Sequence, residues 1–142
     1  MQIRDIMTGK VISVAAREPV TAAARLLRQH NLGALPVCDD HGKLLGMVTD
    51  RDIAVRCVAA QADPAGTTVE QIMSRGIITA GPNDSLDRAV YLMSADQVRR
   101  LPVLEDGRLV GMVSLCDMAR NQRCDMEAAE ALTALSANVR RR

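Results

Sequence analysis

Apolar residues along this chain fall into two rhythms, and each rhythm occurs twice. Short β-rich runs, Val11 to Val14 and Ile77 to Thr79, predict strands. Each run precedes a stretch with helical spacing. Val20, Ala23, Ala24 and Leu27 fall at i, i+3, i+4 and i+7, and Leu86, Ala89, Val90 and Met93 repeat that register. Pro19 in the first turn and the Asp84-Ser85 pair are helix start signals. Two further strands follow each helix, joined by a polar turn, Asp39 to Lys43 and then Glu105 to Arg108. Gly42 and Gly107 stand where those turns need unusual backbone angles. A second helix opens in GMVTDRD, Gly46 to Asp52, and again in GMVSLCD, Gly111 to Asp117.

The order β-α-β-β-α is thus written twice, which predicts an α+β fold. Ile12 and Ile78 are 66 positions apart, as are Pro36 and Pro102, while Gly46 and Gly111 are 65 apart because the second turn is one residue shorter. About fifty residues per copy is too few to bury a full core, so the two copies are expected to pack together around a pseudo-twofold axis. The predicted organisation is a first repeat over 1–58, a connector over 59–68 (AAQADPAGTT), a second repeat over 69–121, and a C-terminal helix and basic tail over 122–142. In the last segment Met126 to Ala137 reads as a short amphipathic helix with Ala128, Ala131, Leu132 and Leu135 on one face, docking on the body or on a partner subunit. The Arg140–Arg142 run reads as a solvated tail.

Composition removes several function classes. The formal net charge of +1 gives no bulk attraction to nucleic acid or an anionic membrane. Tyr91 is the single aromatic residue, so no base-stacking platform is expected. The first residues, MQIRDIMTGK, hold no long apolar run, hence neither a secretory signal nor a spanning helix is expected and a cytoplasmic location is. Cys38, Cys57, Cys116 and Cys124 show no CxxC spacing and are expected as free thiols in a reducing compartment, with a redox role for Cys116 testable by a thiol probe. Two histidines, neither paired recognisably with a Ser or Cys, predict a protein that is not an enzyme. His30 reads as a dipole partner at a helix C-terminus. Cys38-Asp39-Asp40-His41 fits no common zinc spacing and reads as a polar turn, with no metal site expected.

Two readings of the repeated motif stand side by side. Thr49-x-x-Asp52 and Ser114-x-x-Asp117 match capping boxes, each worth about 1 kcal/mol. The same helix N-termini offer backbone N–H groups to an anion, and a carboxylate one turn in accepts the two hydroxyls of a ribose.

The doubled pattern, the strands ALPV and RLPV, and GMVTDRD with GMVSLCD resemble a tandem pair of CBS domains, a Bateman module, over about residues 5–121. The whole chain resembles the small stand-alone bacterial CBS-pair proteins of the hypoxic-response type. The resemblance implies a regulatory module that binds an adenine nucleotide or adenosyl compound, such as AMP, ADP, ATP, NAD or S-adenosylmethionine, between its repeats. It implies ribose binding by Asp52 and Asp117, with Thr49 and Ser114 on ribose or phosphate. Adenine is expected against Ile78 and Val98 in the cleft of Asp52, and against Ile12 and Leu32 in the cleft of Asp117. Phosphates in the family meet basic residues just before the strand proline, where the second copy has Arg99 and Arg100 and the first has Gly33 and Ala34. The Asp52 cleft is therefore expected to draw on Arg99 and Arg100, unless those arginines are a solvated pair. The cleft facing Gly33 and Ala34 stays empty, takes an uncharged adenosyl group, or borrows an arginine. The resemblance also implies a flat homodimer formed through the motif-bearing helices and an effector protein to receive the signal. The competing reading is a constitutive dimerisation scaffold whose two motifs are only caps.

Overall fold

The computed structural model describes residues 1–121 and 130–136. The chain forms two compact units, one of Ile12–Ile77 and one of Met1–Val11 with the residues from Ile78 onward. Neither unit follows the linear order of the repeats. The first ten or so residues belong with the second hairpin, and the start of the second repeat belongs with the first.

The Ile12–Ile77 unit holds β1 (Val14–Ala15), α1 (Val20–His30), β2 (Ala34–Cys38), β3 (Leu44–Thr49), α2 (Asp50–Ile53) and α3 (Val69–Ile72). β2 lies central, parallel to β1 and antiparallel to β3. The hairpin turn forms because Asp39 Oδ1 accepts the backbone N–H groups of His41 at 2.8 Å and Lys43 at 2.9 Å, while Gly42 takes φ 80°. Past Ile53 the helix widens over Ala54–Val58, where Ala59 N–H reaches back five residues to the Ala54 carbonyl at 2.8 Å. Val20, Ala23 and Leu27 bury against Leu35, Val37, Val48 and Cys57. Ala24, expected on that face, is exposed; a methyl group gains little by turning inward, so the buried stripe is narrower than the spacing predicts.

The other unit holds α4 (Leu86–Asp96), β4 (Arg100–Glu105), β5 (Arg108–Ser114) and α5 (Leu115–Arg120). Ser85 caps α4, its Oγ accepting from Arg88 N–H at 3.2 Å. Asp106 at φ 53° and Gly107 at φ 79° make the tight turn between the antiparallel strands. Leu86, Ala89, Val90 and Met93 are all buried, as the spacing predicts, against Leu101, Val103, Val113, Met118 and Ile3. A helical stretch over 130–136 sends Ala131 into this core. Leu132, expected beside it, is 56% exposed, so only part of the expected apolar face docks here, and Ala128 lies outside the described residues.

The first strand of each copy is shorter and later than its β-rich run. β1 begins only at Val14, and its counterpart is a single parallel bridge between Ala80 and Val103. The strand prolines set this limit. Ala80 donates to the Pro102 carbonyl at 3.0 Å and accepts from Leu104 N–H at 2.8 Å. The next ladder bond would run from residue 102 to the Ile78 carbonyl, but proline has no N–H. Pro36 imposes the same stop on Ile12, because Val14 pairs with Val37 as Ala80 pairs with Val103.

Candidate functional site

Both motifs form complete capping boxes. Thr49 Oγ1 accepts from Asp52 N–H at 3.0 Å while Asp52 Oδ2 accepts from Thr49 N–H at 3.0 Å. Ser114 and Asp117 repeat the exchange at 3.1 Å and 2.9 Å. The cap uses one oxygen of each carboxylate, leaving Oδ1 for a second role.

Those second oxygens differ. Asp52 is buried, and its Oδ1 is met by Arg56 Nη1 at 3.4 Å and by the Ser74 hydroxyl at 3.5 Å. The Asp117 side chain is 14% exposed against 9% for Asp52, and its Oδ1 is met at 3.6 Å by Arg120, whose side chain is 80% exposed against 49% for Arg56. Sequence reasoning missed Arg56, Arg120 and Ser74. Arg56 and Arg120 stand four and three residues past their aspartates, a helical pairing signal that was legible. Ser74 lies 22 residues from Asp52, with no local signal.

Within each unit the hairpin delivers the segment before its proline to its own motif. Ala34 pairs with Thr49 and Arg100 with Ser114, so each pair projects from one face of its sheet. The Gly33 carbonyl accepts from Asp50 N–H at 3.0 Å, and the Arg99 carbonyl from Leu115 N–H at 2.8 Å. Arg99 and Arg100 are both exposed, Arg100 in register with Ser114 and Arg99 bonded through its backbone to Leu115. Asp52, their expected companion, belongs to the other unit. Ile12, Leu32, Ile78 and Val98 are partly buried hydrophobics at the edges of their cores. The proline stops leave the carbonyls of Ile12 and Ile78 without a ladder donor.

The Cys38–His41 segment is committed to its turn: Asp39 holds two backbone amides, and Asp40 takes Arg17 Nη2 at 2.8 Å and 2.9 Å. Cys57 is a buried core thiol and Cys116 is exposed on α5, while Cys124 and Arg140–Arg142 lie outside the described residues. His30 closes α1, as expected. Among the described residues no helix is long and apolar enough to cross a membrane.

The CBS domain model matches residues 3–58 and 69–123, the two stretches that carry the caps and hairpins. The chain belongs to the CBS-domain family. It is 43% identical over 134 residues to the CBS domain-containing protein YhcV of Bacillus subtilis, with 94% of each chain covered. It is 42% identical to Hypoxic response protein 1 of Mycobacterium tuberculosis, over 83% of this chain and 82% of that one. A crystal structure of Hypoxic Response Protein I with two coordinated zinc ions superposes with a TM-score of 0.80 at 41% identity, covering 85% of this chain and 98% of the other. The CBS domain pair of protein MJ0100, solved with 5′-methylthioadenosine and S-adenosyl-L-methionine, superposes with a TM-score of 0.73 at 34% identity over 84% of this chain and 94% of that one. The α+β fold of a tandem CBS pair, expected from the doubled pattern, is therefore the fold of this chain.

Proposed function

We propose that this CBS pair is a regulatory, non-catalytic module that binds an adenosyl compound, with Asp117 receiving the ribose diol. The observation that carries the proposal is the largely buried Asp117 carboxylate. One oxygen is fixed by the Ser114 cap, and the other is aimed at an exposed, easily displaced arginine. A carboxylate so held accepts two sugar hydroxyls with no reorganisation of the helix that carries it. The adenosyl ligands in the MJ0100 pair support this ligand class. Arg99 and Arg100 are assigned to phosphates at their own motif, since Arg100 stands directly across from Ser114. The carbonyls of Ile12 and Ile78 would accept an exocyclic amino group, which needs an acceptor that the sheet does not already use.

Ligand binding would shift the population toward a tightened arrangement that an effector protein reads. The exposed Val55 and Val58, at 50% and 64% on the widened end of α2, support association of two chains through the motif-bearing helices. A cytoplasmic location goes with this reading. The scaffold alternative is favoured at one place only, Asp52, whose carboxylate is already occupied from within.

A thermal-shift screen with AMP, ADP, ATP, NAD, S-adenosylmethionine and 5′-methylthioadenosine tests the proposal. A ligand at a hundred times its dissociation constant stabilises the native state by about 2.7 kcal/mol. No shift with any of the six leaves the scaffold reading in possession.

A further inference from the structure

Arg56, its side chain 49% exposed, is held at its inner end by three hydrogen bonds. Its Nη1 donates to the carbonyls of Ile72 at 2.9 Å and Met73 at 3.2 Å and to Ser74 Oγ at 3.3 Å, and it stands 3.4 Å from Asp52 Oδ1. Two carbonyls at the end of α3 thus anchor the cation that faces the motif carboxylate. Anchoring matters, because a tethered guanidinium loses less side-chain entropy on pairing than a free one. With Oδ2 in the cap and Oδ1 facing Arg56 and Ser74, the protein itself engages both oxygens of Asp52.

The second copy has no arginine at the matching position. The position that matches Arg56 is Asn121, whose amide reaches Met1 Sδ at 3.5 Å. Among the described residues the one cation on Asp117 is Arg120, 80% exposed and with no carbonyl anchor.

We infer that Arg56 is a built-in occupant of the Asp52 motif and makes the two copies unequal: the Asp117 motif takes ligand freely, while the Asp52 motif is closed until Arg56 is displaced. The inference rests on the adenosyl-binding reading and assigns its stoichiometry. A ribose at Asp52 must break the Arg56 contact before making its own bonds, so part of its binding free energy is spent on opening. A ribose at Asp117 displaces only a solvated side chain.

Calorimetric titration with 5′-methylthioadenosine tests this on the full chain. The wild type is expected to take one equivalent, weakened about tenfold or more by Asp117→Asn and unchanged by Asp52→Asn. Arg56→Gln, which keeps a donor for the Ile72 and Met73 carbonyls but drops the charge, is expected to reveal a second equivalent or tighten a weak one by about tenfold, the scale of one charge-assisted bond. That second equivalent should survive Asp117→Asn and vanish with Asp52→Asn. Arg56→Ala serves as the second variant. Two equal sites in the wild type, or binding that Asp52→Asn abolishes and Arg56→Gln leaves unaltered, overturns the inference while keeping adenosyl binding. Binding by neither wild type nor Arg56 variants overturns the function and the inequality together. A ligand-free check stands apart from both: thermal-midpoint losses from Asp52→Asn and Arg56→Gln must be less than additive, and strict additivity overturns the tie itself.

Discussion

Met47 and Ser74 exchange two backbone hydrogen bonds, Met47 N–H to the Ser74 carbonyl at 3.0 Å and Ser74 N–H to the Met47 carbonyl at 2.8 Å. Thr8 and Met112 make the same exchange in the other unit, at 2.8 Å and 3.0 Å. The pairs explain the glycine that opens both motifs. A β-carbon on Gly46 would collide with the Ser74 carbonyl oxygen, and one on Gly111 would come within 2.6 Å of Met7 Sδ and 3.0 Å of the Thr8 carbonyl. Backbone cannot step aside, whereas a methionine can repack. Gly46→Ala is therefore expected to lower stability by about 2–3 kcal/mol and Gly111→Ala by about 1 kcal/mol, measured by urea unfolding. Equal losses would contradict the difference between a carbonyl obstacle and a thioether one.

Capping and ligand binding separate by substitution. Thr49→Ala and Ser114→Ala each remove a hydroxyl acceptor at a helix start and should each cost about 1 kcal/mol. Asp117→Asn keeps an oxygen that can accept from Ser114 N–H, so its thermal midpoint should stay near that of the wild type. Its affinity for an adenosyl ligand should fall about tenfold or more, because bonds from ribose hydroxyls to a neutral amide are weaker than to a carboxylate. A large midpoint loss with unchanged affinity would return Asp117 to a purely structural role.

Most of the fold was legible because its determinants are local. Helical spacing, Ser85, and the Gly42 and Gly107 turns each act within a few residues, and the hairpin and helix assignments follow from them. The exchange of terminal segments was not legible. DIMT and QIMS are alike, so nothing in either states which hairpin it will pair with, and only the backbone bonds of Thr8 and Ser74 reveal it. The short first strands were hidden for a related reason: the limit comes from Pro36 and Pro102, more than twenty residues downstream. At the site, the caps were written in the sequence and the contacts of Arg56 were not. Arg56 gains its role from the carbonyls of Ile72 and Met73, which contribute no side-chain signal.

The first hairpin turn should loosen in acid. Backbone N–H groups of Lys43 and then His41 hold the Asp39 carboxyl below its ordinary value of 3.8. A depressed folded-state value means the carboxylate's contribution is present above the unfolded value and is lost as pH falls through the folded one. The amide resonances of His41 and Lys43 are expected to shift together with a midpoint below 3.8, and Asp39→Asn should remove the transition.

Thiol reactivity should follow burial. Desolvation, then the nearby Asp39 charge, pushes the Cys38 thiol above its ordinary value of 9.0, against a smaller opposing effect of Ser13. The sign is the reverse of the Asp39 case: the protonated thiol's contribution is complete below the unfolded value and is lost as pH rises through the folded one. At pH 8 a thiol probe read by peptide mapping should label exposed Cys116 at once and Cys38 and Cys57 only on unfolding. Labelling of Cys38 in the native protein at the rate of Cys116 would contradict its burial.

Arg99 and Arg100 give a prediction that depends on ligand charge. Both are exposed before the β4 proline, and Arg100 pairs in register with Ser114. If they hold a phosphate, Arg100→Ala should weaken AMP by about tenfold, the loss of one charge-assisted bond, and leave 5′-methylthioadenosine untouched. Arg99→Ala should act in the same direction, and added salt should weaken AMP more than the neutral nucleoside, since these side chains are poorly shielded from counterions. The comparison is internal to one protein, so a general loss of folding cannot imitate it: misfolding would lower both affinities. Equal loss of the two ligands would place the arginines in the framework of the cap, and equal retention would leave them as a solvated pair.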